Sequence, residues 1–586
     1  MCYKSAMKWA GYTWAKLCGW VMLGAVRAWA QDPADRHPVY DVLSPQRNAS
    51  SPVATELTIR PAVEGRLTVG AAYPFTGAAA AEPLKLQGWR GERCSGQLAV
   101  STGYAAARLS VTCSALSHEG RELQATVRMV RYVGTGRSVT ADIIGNESTC
   151  DHPAGEHRAV WYEVNIPQDA APGRYTGTVT ATAPGCEPAV QQVELLVAEA
   201  VLPEPKDWKV HLDLWQHPQA VARWHDVEPW SQAHFEVLRP LMQRLAAAGQ
   251  KCITCTLLDE AWNGQTYDWF PSMIRWVKGK DGVMRYDYSI FDAWVHFMHD
   301  EIGIREQISC YSMLPWHLKV KYFDESSGRE AEMAAEPGQP SFEQVWAPFL
   351  RDFHHHMQQK GWAGKTCIAI DERPDRMVRE AMRLVKENAP SFRIASAVDK
   401  PSALTRDVYN ISPVLTHAGS AQGELLRERK AAGKITTFYV CLHPTVPNTF
   451  TTSAPAEAEW LGLFAAANQL DGLLRWAYNS WNRNPLQTTD FGNWPTGDCF
   501  LVYPGNRSSI RFERLRDGLE EFEKIRLLRA RAAESPAAAA IIDSMNSRLA
   551  AIFTVRRSTG NQHAADVQSA RDIIAETVAA LNALQQ

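Results

Sequence analysis

Cys367-Ile368-Ala369-Ile370-Asp371-Glu372-Arg373-Pro374 reads as a short strand that ends in two adjacent carboxylates. The apolar run fits a parallel strand covered on both faces. Pro374 stops it, and Asp375 is placed to cap the helix that follows. In a barrel of parallel strands, side chains at the C-terminal strand ends face the catalytic mouth. Neighbouring strand residues point to opposite faces, so both carboxylates reach one site only if the chain is already turning, as Pro374 predicts. Asp371 and Glu372 at such a mouth point to acid/base chemistry.

Outward from this stretch, strands and helices alternate. Val210–Trp215, Cys252–Leu258 and Gln307–Tyr311 precede it as strands; Arg393–Val398, Val408–Ile411, Thr436–Leu442 and Leu473–Tyr478 follow. Helical periodicity lies between them: Ser231 caps a helix that ends at Gly249, Ser289 opens another, and Ser341-Phe342-Glu343-Gln344 has the form of a capping box. Eight strands alternating with helices predict a catalytic (β/α)8 TIM-like barrel over residues 204–508. Residues 31–203 differ: Arg108–Cys113, Glu122–Tyr132, Arg158–Ile166 and Tyr175–Ala183 alternate apolar and polar residues between turn signals, predicting an N-terminal all-β sandwich. Leu202-Pro203-Glu204-Pro205-Lys206 reads as a stiff linker, and residues 509–586 as a helical C-terminal extension that packs under the barrel.

Residues 1–30 carry an address. Lys4, Lys8 and Lys16 precede the apolar Leu17–Val26 run, which is too short to span a bilayer, and Ala28-Trp29-Ala30 supplies a cleavage site. A signal peptide of this form predicts export to the periplasm or beyond, and no stable membrane insertion. The formal charge is −3 and becomes more acidic once those lysines leave, so nucleic acid is not an expected partner. Export permits disulfides among Cys94, Cys113, Cys150 and Cys186. Cys252 and Cys255 lie inside an expected strand and read as buried side chains rather than half of a metal or redox motif. Successive helix residues are about 100° apart, so His354-His355-His356 cannot converge on one ion. No metal and no cofactor are expected.

The strand ends are rich in groups that suit a sugar. They present Asp213, Trp215 and His217; Asp259, Glu260 and Trp262; Tyr311 and Trp316; Tyr439, His443 and Asn448; and Trp476, Tyr478 and Trp481. Carboxylates with aromatic faces around one mouth describe a glycosidase, which makes carbohydrate the expected partner. Two Asp-Glu pairs compete, 259/260 and 371/372, and spacing alone does not choose between them.

The C-terminal part carries a resemblance. Gly472-Leu473-Leu474-Arg475-Trp476-Ala477-Tyr478-Asn479-Ser480-Trp481 is followed by Gly497-Asp498, Leu501-Val502-Tyr503-Pro504-Gly505, Ser509-Ile510-Arg511 and Leu515-Arg516-Asp517-Gly518-Leu519-Glu520-Glu521-Phe522-Glu523. With Asp213-Leu214-Trp215-Gln216-His217-Pro218, Pro447-Asn448-Thr449-Phe450 and Ile370-Asp371-Glu372, this resembles glycoside hydrolase family 123 over roughly residues 40–530. The resemblance implies a β-N-acetylgalactosaminidase that uses substrate-assisted retention, in which the sugar's own 2-acetamido oxygen attacks the anomeric carbon. It implies Glu372 as general acid/base and Asp371 as the residue that orients the acetamide. Trp476 and Trp481 are expected as the sugar platform, and Tyr439 or Tyr478 as donor to the acetamido oxygen. Asp213, His217, Asn448 and Asp498 are expected to hold hydroxyls, with Trp215 and Tyr311 lining the mouth. Two other readings stay open: a retaining hydrolase in which Asp259 or Glu260 joins Glu372 as nucleophile, and a glycan-binding protein without turnover. Exo or endo action and oligomeric state are not written in these motifs.

Overall fold

The computed structural model describes residues 57–61, 82–102, 106–136, 139–152, 157–418, 423–555 and 560–585; the expected signal peptide lies outside them. The N-terminal part is built of two sheets. One orders Thr58–Pro61, Arg93–Ser101, His157–Asn165, Ala125–Gly134 and Val139–Ile144, all antiparallel. The other orders Leu84–Arg90, Ala189–Val201, Gly173–Thr182, Ala106–Cys113 and Thr149–His152, with one parallel pair at its edge. Leu98, Val100 and Val160 of the first share a core with Val111, Val179 and Leu195 of the second. Alternation drives this: along Ala189–Val201, residues 191, 193, 195 and 197 are buried and their neighbours face out. The expected Glu122–Tyr132 strand is broken in two, Arg121–Leu123 and Ala125–Gly134. The expected linker is tied down, with Leu202 fully buried and bonded through its N–H to the Arg90 carbonyl.

Beyond it, parallel strands run in chain order. Cys252–Thr256, Gln307–Tyr311, Thr366–Asp371, Arg393–Val398, Asn410–Pro413 and Ile435–Thr436 make one six-stranded sheet, and His211–Leu214 pairs with Gly472–Arg475 in a second. Bonds join the two sheets at both edges. The Lys251 N–H donates to Leu212 O, and Leu474 N–H donates to Phe438 O. The expected Thr436–Leu442 strand keeps a regular ladder only at its first residue. Farther on, Tyr439 is held by single bridges to Val414 and Leu474. Helices cover the outer faces: Gln232–Ala246, Ser289–His296, Pro340–Gln359, Asp375–Asn388, Gly423–Ala431 and Pro455–Ala467. Ser231 caps the first of these through the His234 N–H. The expected caps at Ser341 and Asp375 are displaced, because Pro340 and Asp375 are already the first helical residues of their helices.

The long insertion after the third parallel strand takes a form that was not foreseen: Lys319–Asp324 and Arg329–Ala334 join Arg275–Lys278 and Met284–Asp287, from the loop after the second parallel strand, in a separate four-stranded sheet. Among the described residues all ten cysteines are free, Cys252 and Cys255 are buried in their strand, and no acid, His or Cys cluster is arranged for a metal. The three consecutive histidines take separate partners, Ser391, Gln359 and Asp292. Among the described residues no helix is long and apolar enough to cross a membrane.

The helix Ile510–Ala530 locks these parts together. Its lead-in Ser508–Ser509 pairs with Val139–Ile144 of the N-terminal part. Arg511 pairs with Asp142, Glu513 with Arg93, and Lys524 with Glu92, all buried. On its other side Gly518 meets the helix Pro455–Ala467 backbone to backbone; a Cβ there would lie 2.3 Å from the Glu459 carbonyl oxygen. The glycine of the Arg-Asp-Gly-Leu-Glu motif is thus the contact point of a close helix crossing. Gly518→Ala must push the helices apart, and should cost about 1–3 kcal/mol, read as a lower urea midpoint. The last helices, Pro536–Ile552 and Gly560–Ala583, pack on the same crossing, where Trp460 Nε1 donates to Asp566 at 3.2 Å.

Candidate active site

Asp371 is the last residue of its strand, and Glu372 follows in the left-handed region, at φ +47°. This is the turn that Pro374 announced, two residues earlier than the proline itself. A non-glycine residue is held there only when its surroundings over-determine it: the Glu372 N–H donates to Ala397 O at 3.0 Å, and the Tyr439 hydroxyl donates to Glu372 Oε1. Trp316 Nε1 lies 3.4 Å from Asp371 Oδ2, and the Arg373 guanidinium sits 4.7 Å over the Trp316 ring while bonding Pro315 O. Both carboxylates are half-buried. Burial raises the affinity of each for its proton, and the charge of Glu372 raises that of Asp371 further. Like charges this close cannot both ionise cheaply, so the pair retains one proton above the ordinary carboxylate range.

Facing the pair is an aromatic wall. The Trp215 ring lies 5.2 Å from Trp262, stacked, and 4.6 Å from Tyr311. Trp262 and His217 both pack on Phe270. Tyr311 is buried near Asp213 and Asp371, and burial with their charges keeps its phenol protonated. Asp213 is 3% exposed, its Oδ1 has no partner among the described residues, and burial pushes its carboxyl up to about 7. His217 is fixed by Asn479 through two reciprocal 3.0 Å bonds to its backbone, and burial drives its imidazole down to about 3, so it is neutral. Trp476 is half-exposed, edge-on to His217 at 6.2 Å and beside Trp494 at 5.3 Å.

Four expected site residues are spent inside the protein. Trp481 is 1% exposed and donates to Val502 O, so it cannot serve as a platform. Tyr478 points outward to the helix layer, its hydroxyl on Leu241 O and its ring against Phe512. Asn448 donates to Cys441 O and Pro444 O and accepts from Thr449 N, which uses its amide on its own loop. Asp498 is fully buried between Arg475 and the Trp476 indole N–H, so it orients the platform rather than a hydroxyl. The competing pair is also occupied. Glu260 accepts from the Gly264 and Phe270 N–H groups at 2.6 Å each, and Asp259 accepts from Ser272 N–H and pairs with Lys321 at 3.4 Å. Trp316, which strand position put at the mouth, lies beside Asp371, whereas Trp494 is a residue that this reading left out of the site. Both follow strand ends in aromatic-rich loops, Leu-Pro-Trp-His and Gly-Asn-Trp-Pro.

Comparison with known proteins agrees with this geometry. The model of the glycoside hydrolase 123 catalytic domain matches residues 215–528, and that of the glycoside hydrolase 123 N-terminal domain matches residues 73–183. No curated protein matches the chain. Among solved structures, a family 123 glycoside hydrolase from Clostridium perfringens, described for glycolipid glycan hydrolysis, superposes with a TM-score of 0.83 at 23% identity. That match covers 90% of this chain and 100% of the other, which shows a shared fold. A family 39 glycoside hydrolase from Bacteroides cellulosilyticus has a TM-score of 0.32 at 11% identity, over 71% of this chain and 81% of its own, too remote to carry an argument. With a family model spanning the segment that holds the carboxylate pair and a second one ahead of it, the chain belongs to glycoside hydrolase family 123.

Proposed function

We propose that this hydrolase removes β-linked N-acetylgalactosamine by substrate-assisted retention, in a (β/α)8 barrel formed by the two parallel sheets and their edge bonds. The observation that carries it is the adjacency of Asp371 and Glu372 at one strand end, one beside Trp316 and the other bonded to Tyr439. An ordinary retaining hydrolase needs an acid and a nucleophile on opposite sides of the anomeric carbon, about 5–5.5 Å apart. Neighbouring residues on a turn approach from the same side, which suits a reaction whose nucleophile belongs to the substrate. The acetamide N–H donates to Asp371, which favours its anion and leaves the shared proton on Glu372. Glu372 then protonates the leaving oxygen as the acetamido oxygen closes on the anomeric carbon. Asp371 stabilises the positive charge that develops on the oxazolinium ring. Water, deprotonated by Glu372, opens that ring with net retention. Tyr439 holds Glu372 in place, and Trp476 offers the sugar its stacking face.

The glycolipid glycans named for the Clostridium perfringens enzyme are the substrate class we infer here. Export, read from residues 1–30, places the enzyme where such glycans are met. The test compares chromogenic β-GalNAc and β-GlcNAc glycosides and follows the anomer released by NMR. GalNAc turnover at least about tenfold faster, with a β product and inhibition by an oxazoline mimic, is expected. An α product or equal turnover of both sugars would refute the proposal.

A further inference from the structure

Trp269 is 60% exposed, yet the loop that carries it is rigidly held. Glu260 turns in the left-handed region at φ +49° and ties Gly264 to Phe270 through its two carboxylate oxygens. Asp259 closes the same loop at Ser272 with a 2.7 Å bond, and Arg223 holds Asp268 at 2.5 Å. Phe270, 2% exposed, anchors the loop in the aromatic wall, 5.5 Å from His217. Residue 269 therefore stands beside the inner wall with its indole in water. An exposed indole on a fixed support is a ready stacking surface.

A second path joins it to the carboxylate pair. Lys321 Nζ lies 6.0 Å from the Trp269 ring and 3.4 Å from Asp259 Oδ2. His317 Nε2 lies 3.3 Å from the Asp259 carbonyl oxygen, and its neighbour Trp316 touches Asp371. The surface thus continues from the reacting end of the mouth to Trp269, along the unexpected sheet excursion that contributes Lys321.

We infer that Trp269 and Lys321 form an outer sugar subsite for the leaving-group side of the glycan. A pyranose of the aglycone lays its apolar face on the indole, and Lys321 donates to its hydroxyls. Asp259 and Glu260 are positioning residues for this platform, which accounts for a second Asp-Glu pair whose oxygens face backbone N–H groups and Lys321. The inference rests on the proposed release of a terminal GalNAc, because only then does the chain extend solely toward the aglycone.

The test measures kcat/KM of wild type, Trp269→Ala and Trp269→Tyr on two substrates, a chromogenic β-GalNAc glycoside and a β-GalNAc-terminated tetrasaccharide. In Trp269→Ala the tetrasaccharide-to-chromogen ratio should fall about tenfold through KM, and Trp269→Tyr should recover most of it. A ratio that stays at the wild-type value in Trp269→Ala overturns the platform while leaving the GalNAc assignment intact. A wild type inactive on both substrates overturns that assignment and the platform with it.

Discussion

Glu372→Gln should lower kcat on a natural glycan by about 10²–10⁴-fold, the range that a positioned general acid supplies. The loss should depend on the leaving group. A nitrophenolate departs without a proton, so the first step on the chromogenic glycoside is spared, and the remaining loss there reflects only the base role in opening the ring. An alkoxide aglycone needs protonation in the same step, so the glycan suffers more. The variant keeps the side chain's shape and its acceptance from Tyr439, so circular dichroism should match the wild type. Equal losses on both substrates would remove the acid role from Glu372, and unchanged turnover on both would remove the residue from the chemistry.

Much of the scaffold was legible because buried parallel strands write themselves as apolar runs. Gln307–Tyr311 and Arg393–Val398 were placed to the residue. The seventh strand was overdrawn because an apolar run does not say where ladder bonds give way to single bridges. The four-stranded excursion was missed because its strands are short and half-exposed, although Asp281-Gly282 and Ser327-Gly328 are hairpin turn signals. The cap expected at Ser341 slipped because Pro340 takes the first helical position ahead of it, and the one expected at Asp375 because Pro374 takes the cap position and leaves Asp375 as the first helical residue.

At the site, strand position told which residues lie near the mouth but not which neighbour claims each polar atom. Asp371, Glu372, Tyr439, Trp215 and Tyr311 meet there. Asp498 and Asn448 lie nearby, but their hydrogen bonds close within the protein. Tyr478 was lost to one step of strand alternation, which turns its ring to the helix layer. The choice between the two Asp-Glu pairs was not available from spacing. It rests on backbone N–H groups of the 264–272 loop, whose fold no local pattern displays.

Asp371→Asn should be nearly as damaging, about 10²–10³-fold in kcat, and it separates two chemistries. The amide of Asn still accepts a bond from the acetamide N–H but carries no charge to set against the oxazolinium ring, so the barrier rises while KM changes little. The pH profile should move in a defined direction. Asp371 and Glu372 raise each other's affinity for protons, so removing one charge lowers the affinity of the other. Glu372 then loses its proton at lower pH, and the alkaline limb of the residual activity shifts toward acid. Stability should move the opposite way to activity. The folded-state pKa of Asp371 is raised by burial, so its ionisation weighs against the folded state. The gain in melting temperature of Asp371→Asn should be absent below about pH 4, where the carboxyl is protonated in folded and unfolded chains alike, and should grow as pH rises above that. Azide gives the deciding readout. If Asp371 were itself the nucleophile, azide would restore turnover of Asp371→Asn and yield the inverted glycosyl azide. With the acetamido group as nucleophile, azide leaves the rate where it is.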